Sequence, residues 1–154
     1  MFRRVLCILL GCLALAAMAA DESLSRFDRV VVDPAKTSIY IGSVTMSFSP
    51  ATRVAGVYAT DYTAKVFPYF FMSETGKLFL DAPDETLRKL ARGEVVDFSG
   101  HGVSSSGAER RFEGRATPTD ATSGKLKVHA FVSKRIDLIF NMTYRFGPAE
   151  PPAP

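Results

Sequence analysis

Few side chains in this chain are able to do chemistry, and their spacing keeps them apart. The only histidines are His101 and His129. His101 stands between Gly100 and Gly102, where flanking glycines point to a bulge or a close backbone approach. His129 lies beside Lys127 on the polar face of a strand, the ordinary place for a solvated histidine. Two isolated histidines with no acid at fixed spacing make a weak metal site and no catalytic pair. Gly102–Gly107 has the look of a serine nucleophile elbow, but Ser106 stands where the second glycine is needed and no strand–turn–helix context succeeds it. Asp81, Asp84 and Glu85 crowd together as helix-start acids rather than as an acid–base pair. Cys7 and Cys12 are the only cysteines and both fall in the N-terminal apolar stretch. Beyond that stretch, thiolate–metal, iron–sulfur and cysteine-nucleophile chemistry is therefore excluded. No catalytic residue, metal ligand or cofactor is expected.

One run has the composition of a binding surface. Val66–Met72 (Val-Phe-Pro-Tyr-Phe-Phe-Met) is apolar on both faces of a strand and contains a proline, a residue confined to strand edges, starts or bulges. Core burial is the favoured account of so apolar a run. The functional alternative is the lining or mouth of an apolar ligand pocket, or a partner surface. Phe67, Tyr69, Phe70, Phe71 and Met72 are the ligand-binding candidates on that account. A second group is basic: Arg110, Arg111, Arg115, Lys125, Lys127, Lys134 and Arg135 fall on neighbouring strand-like runs. Glu109, Glu113 and Asp137 are interleaved with them, which reads as a salt-bridged, solvated sheet face.

The start of the chain reads as an address. Arg3 and Arg4 precede an apolar run, Val5–Ala16, and Ala17-Met18-Ala19 forms a small-x-small cleavage site before Asp21 and Glu22. That is the layout of a secretory signal peptide over residues 1–19, too short for a transmembrane helix. Leu9-Leu10-Gly11-Cys12 also fits a lipoprotein processing site, though the residues after Cys12 are apolar and make a poor tether. Arg3 and Arg4 carry two of the three net positive charges of the 154-residue chain. Basicity is thus partly a targeting feature, and nothing points to a nucleic-acid partner. Residues 20–146 make one β domain, and the Pro-rich tail 147–154 reads as disordered. The expected location is periplasmic or extracellular, with the outer membrane less favoured and no transmembrane helix in the mature chain.

The elements that must position any site are mostly strands. Ile136–Phe146 separates its faces most cleanly: Ile136, Leu138, Phe140, Met142, Tyr144 and Phe146 against Asp137, Asn141, Thr143 and Arg145. Lys125–Ser133 alternates in the same way and is expected to pair with it as a terminal hairpin. Upstream, strands are expected at Phe27–Asp33, at Ser38–Phe48 with a bulge near Gly42, and at Val54–Phe67 after a turn at Ser49–Thr52. Tyr69–Ser73 and Lys77–Asp81 read as a hairpin, and Val95–Val103 and Arg110–Thr117 as another. One short helix, about residues 83–92, carries Leu87, Leu90 and Ala91 as its apolar stripe and Gly93 as its stop. The chain is therefore mainly β, an antiparallel barrel or sandwich of about 8–9 strands with one helix.

Val32–Ile39 (Val-Asp-Pro-Ala-Lys-Thr-Ser-Ile) resembles the opening strand of the YceI-like periplasmic lipid-binding barrels. The likeness is confined to that stretch. Where that family has a later Gly-Val-Thr motif, this chain has Gly114-Arg115-Ala116-Thr117-Pro118, so no membership follows. The function expected from the sequence is a non-catalytic envelope module, a binding or structural domain whose sharpest form is a carrier of an apolar small molecule or lipid. An eight-stranded outer-membrane barrel is the first alternative, because alternation alone is blind to which face meets lipid. An enzyme of unknown type is the second.

Overall fold

The computed structural model describes residues 24–133 and 136–149. The expected signal peptide, Cys12, Lys134, Arg135 and the tail from Glu150 lie outside the described residues. Ten strands form: β1 (Arg29–Val32), β2 (Ala35–Ile39), β3 (Gly42–Phe48), β4 (Ala51–Val54), β5 (Val57–Phe67), β6 (Glu74–Asp81), β7 (Val96–Ser104), β8 (Glu109–Pro118), β9 (Ser123–Ser133) and β10 (Ile136–Gly147). A helix, α1 (Asp84–Ala91), lies between β6 and β7. Hydrogen bonding runs β2-β3-β5-β4-β1-β10-β9-β8-β7-β6, and a further β5–β6 ladder joins the far strand back to the sheet. The result is a closed barrel of eight strands rather than a sandwich, with β2 and β3 as two extra strands. These two continue the lines of β1 and β4 and pair with each other from Ala35↔Met46 to Ile39↔Gly42.

Every ladder is antiparallel, and closure gives each ring strand two neighbours, which removes the free edges that invite aggregation. Period-two alternation then fixes which side chains point inward. On β10 these are Phe140, Met142 and Tyr144, all buried, while Asp137, Asn141, Thr143 and Arg145 face solvent. The terminal hairpin pairs Phe140 with Val128 and Met142 with Leu126, as the matching alternation required. The apolar face met at Ile136–Phe146 therefore looks into the barrel.

Two core clusters fill the interior. The lower one joins Phe27, Val30, Ala51, Tyr58, Leu87, Leu90, Val96, Ala116 and Tyr144. The upper one joins Val44, Met46, Tyr62, Val66, Leu78, Phe112, Val128, Phe140 and Met142. Helix α1 plugs the lower end with Leu87 and Leu90, both buried. It ends as its sequence requires: Gly93 takes φ +81°, its N–H donates to the Leu90 carbonyl, and the Glu94 N–H donates to the Lys89 carbonyl. Arg53 of β4 holds the helix start, donating from Nε and Nη2 to the Ala82 carbonyl at 3.0 and 2.8 Å and from Nη2 to Asp84 Oδ1 at 2.5 Å.

The first third of the chain differs from its sequence reading. Ser38–Phe48 is not one bulged strand but the hairpin β2–β3, turned at Tyr40-Ile41. Gly42 can sit there because a Cβ at its φ of +148° would lie 2.0 Å from the Phe67 carbonyl oxygen. Val54–Phe67 likewise breaks at Ala55-Gly56, where φ values of 50° and 80° make the two-residue turn favoured by twisted strands. The turn at Ser49–Thr52 is shorter than expected, since β4 begins at Ala51. Tyr69–Ser73 forms no strand; Phe70–Met72 is a 3-10 turn, and the preceding Phe67–Pro68 peptide is cis.

Candidate functional site

Opposite the helix no described residue closes the barrel. The Tyr40-Ile41 turn, the Pro68–Ser73 connection and the Ser104–Ala108 turn all lie at that end, as the ladders dictate. Just inside it is a cavity of about 510 Å³. Its walls are mainly the inward residues of the upper strands, including Val44, Met46, Ala64, Val66, Ala130 and Leu138, with Phe112 among its deeper residues. No strand ladder joins β2 to β10 among the described residues, and Ser38 and Asp137 on either side of that seam also line the cavity. A second cavity of about 100 Å³ lies farther down among Val30, Tyr58, Leu80, Leu87, Phe98 and Tyr144, and Phe112 borders this one as well. The Phe112 ring thus stands between the two.

The rim of the open end is apolar. Tyr40, Phe70 and Phe71 are 102%, 67% and 85% exposed, and Ile41, Phe67 and Met72 are also more than half exposed. The Phe-rich run is therefore not core, the account favoured from sequence, but an exposed turn beside the mouth. Met72 lines the cavity, and Tyr69 is partly buried against the upper core. Phe67 and Phe70 meet edge to face at 5.7 Å, as do Tyr69 and Phe71 at 5.9 Å. β5 ends at Phe67, so the residues after it have no sheet to cover.

One polar cluster sits within this apolar mouth. Arg110 of β8 donates from Nε to Glu74 Oε1 at 2.9 Å and from Nη2 to Glu74 Oε2 at 2.7 Å, a two-pronged ion pair. The Tyr62 hydroxyl donates to Glu74 Oε1 at 2.7 Å. The Glu74 and Arg110 side chains are only 24% and 19% exposed, and all three residues line the cavity. Burial by itself would raise the Glu74 carboxyl, but the hydrogen bonds from Arg110 and Tyr62 and the Arg110 charge outweigh it and hold Glu74 below its ordinary value. Burial, reinforced by the Glu74 carboxylate, pushes the Tyr62 hydroxyl up, so it stays a donor.

Neither member of this pair stands out in the sequence, where Arg110 belongs with the solvated basic face and Glu74 with a hairpin turn. The legible clue is parity: Arg110 shares it with Phe112, Gly114 and Ala116, the inward side of β8. Arg111 and Arg115, of the opposite parity, do face solvent and pair with Glu113 and Asp97. The histidines lie outside the barrel. His101 stacks on Phe79 at 5.3 Å, and His129 Nδ1 lies 2.9 Å from Asp137 Oδ2. Gly100 and Gly102 flank His101 because a Cβ on either would press into the interior, 2.8 Å from the Phe79 carbonyl or 2.9 Å from the Phe112 ring. Among the described residues no group of three or more acids and histidines is placed to hold a metal. No helix there is long and apolar enough to cross a membrane. Compared with known proteins, the chain matches no family, no curated protein and no solved structure.

Proposed function

We propose that this protein is an exported, non-catalytic binding module whose barrel takes an apolar small molecule through its open end. The observation that carries the reading is the cavity of about 510 Å³, apolar over most of its wall and opening at a rim of exposed aromatic side chains. A barrel with no ligand to hold fills its interior with side chains, as this one does around Phe140. The larger of the two hollows is at the upper end, and a hollow beside an apolar rim is the ordinary form of a small-ligand site. Phe67, Tyr69, Phe70, Phe71 and Met72 form one side of its entrance, with the Tyr40-Ile41 turn beside them.

The polarity of the wall supports a barrel standing in water over the outer-membrane alternative. A membrane barrel turns an apolar band outward and a polar lumen inward. Here β8 and β9 present Glu109, Arg111, Arg115, Lys125 and Lys127 outward, all exposed, and keep Phe112, Ala116, Val128 and Ala130 inside. Export rests on the leader, and fractionation tests it: release by osmotic shock is expected, and retention in detergent-resistant membrane would overturn it. For binding, the chain expressed in full and purified gently is examined by native mass spectrometry. A co-purified apolar ligand, or uptake of a fluorescent dodecyl probe, is expected; a tight fold with neither would overturn the carrier reading.

A further inference from the structure

We propose that the Glu74–Arg110–Tyr62 cluster selects the ligand's polar end, and that this end is uncharged and hydroxyl-bearing, as in a long-chain alcohol. The inference rests on the carrier reading and adds the chemical class of ligand. The cluster lies at the mouth, where β6 and β8 begin, while the cavity deepens past Val44, Met46 and Ala64 toward Phe112. An amphiphile entering tail first places its apolar part over those side chains and leaves its head level with Glu74 and Arg110.

The head that fits is set by what the cluster already satisfies. A guanidinium has five N–H donors. Three of the Arg110 donors are used, two on Glu74 and one on the Glu109 carbonyl. Glu74 Oε1 accepts two hydrogen bonds and Oε2 accepts one, so Oε2 keeps acceptor capacity. A hydroxyl both donates and accepts, so it can bridge Glu74 Oε2 and a remaining Arg110 N–H without displacing any existing bond. A carboxylate head meets Arg110 already neutralised and Glu74 beside it as a like charge. An ammonium head meets Glu74 already neutralised and Arg110 beside it. Either ion gives up hydration at a part-buried site where the described residues return no free counter-charge. Asp137, the other charged group among the described residues at the cavity's edge, points outward and is engaged by His129 of the neighbouring strand β9.

Titration calorimetry with lauryl alcohol, laurate and dodecylammonium, each below its aggregation threshold, tests this because the three share one tail and differ in head charge. The wild type is expected to bind lauryl alcohol at least about tenfold more tightly than either ion, a margin of about 1.4 kcal/mol. Glu74→Gln frees the Arg110 charge and is expected to move the preference toward laurate. Arg110→Gln frees the Glu74 charge and is expected to move it toward dodecylammonium. Should one variant fail to fold, the wild-type order and the other variant still decide. A wild type that binds either ion as tightly as the alcohol, or variants that keep the wild-type order, would overturn the head-group assignment and leave the carrier reading standing. Binding of none of the three would overturn both.

Discussion

Replacing Phe112 with alanine tests how the two cavities are divided. The ring is buried, packs edge to face on Tyr62 at 5.8 Å, and borders both the upper cavity of about 510 Å³ and the lower one of about 100 Å³. Removing it forfeits the ring's burial and leaves a void that neighbouring strands, tied by ladders on both sides, cannot close. Such a change costs about 3–5 kcal/mol, within the stability of an ordinary domain, so the variant is expected to fold with a lowered urea midpoint. The gain appears in binding. Across straight-chain alcohols of increasing length, each newly buried methylene is worth about 0.8 kcal/mol, roughly a fourfold gain in affinity. In the wild type that gain is expected to stop once the tail reaches Phe112. In Phe112→Ala it is expected to continue for further methylenes as the tail passes into the lower cavity. A plateau at the same chain length in both proteins, or a stability loss below about 1 kcal/mol, would refute the view of Phe112 as the dividing wall.

Gly76→Ala is expected to cost about 1–3 kcal/mol by urea unfolding, because its Cβ would lie 2.4 Å from the Val103 carbonyl oxygen and 2.7 Å from Tyr62 Cε1. For Glu74 the folded-state carboxyl titrates below its unfolded value, so its pairing stabilises the fold fully above the ordinary glutamate value of 4.5 and less as pH falls through the lowered one. The stability difference between wild type and Glu74→Gln is therefore expected to be flat at neutral pH and to shrink on acidification; a difference that grows toward low pH would contradict the pairing. Arg53→Ala leaves the Ala82 carbonyl without its side-chain donor at the helix start. It is expected to cost about 1–3 kcal/mol and to raise amide exchange selectively across Asp84–Ala91.

How much of the fold is legible in the sequence depends on how local each signal is. The long strands β7 to β10 are legible because alternation over nine or more residues has no competing explanation, and α1 because Asp84, Glu85 and Gly93 mark both its ends. The hairpins β2–β3 and β4–β5 escape a sequence reading because Tyr40-Ile41 and Ala55-Gly56 are turns of only two residues inside apolar runs, with a single glycine as punctuation. Pro34 and Pro50 each interrupt a longer line of strand, and inward parity changes across both, from Val32 to Ala35 and from Phe48 to Ala51. Barrel closure is not legible, since the β5–β6 and β1–β10 ladders join residues whose sequence carries no mark of their partner. The site is half visible. The Phe-rich run draws notice through composition, whereas Glu74 and Arg110 become a pair only when β6 and β8 are carried into the same mouth by β7 between them.

On the proposed function the upper cavity, and not the surface or the lower void, receives an apolar ligand. Beyond residue 19 the chain has only three methionines, Met46, Met72 and Met142. Met46 lines the upper cavity, Met72 lies at its rim and lining, and Met142 borders the lower cavity on the far side of Phe112. With the methionine methyl groups carbon-13 labelled, titrating lauryl alcohol and following their resonances reads all three places at once. Saturable shifts of Met46 and Met72, with Met142 moving least, are the expected result. Saturable binding that leaves Met46 unmoved, or no shift at any of the three, would contradict the account.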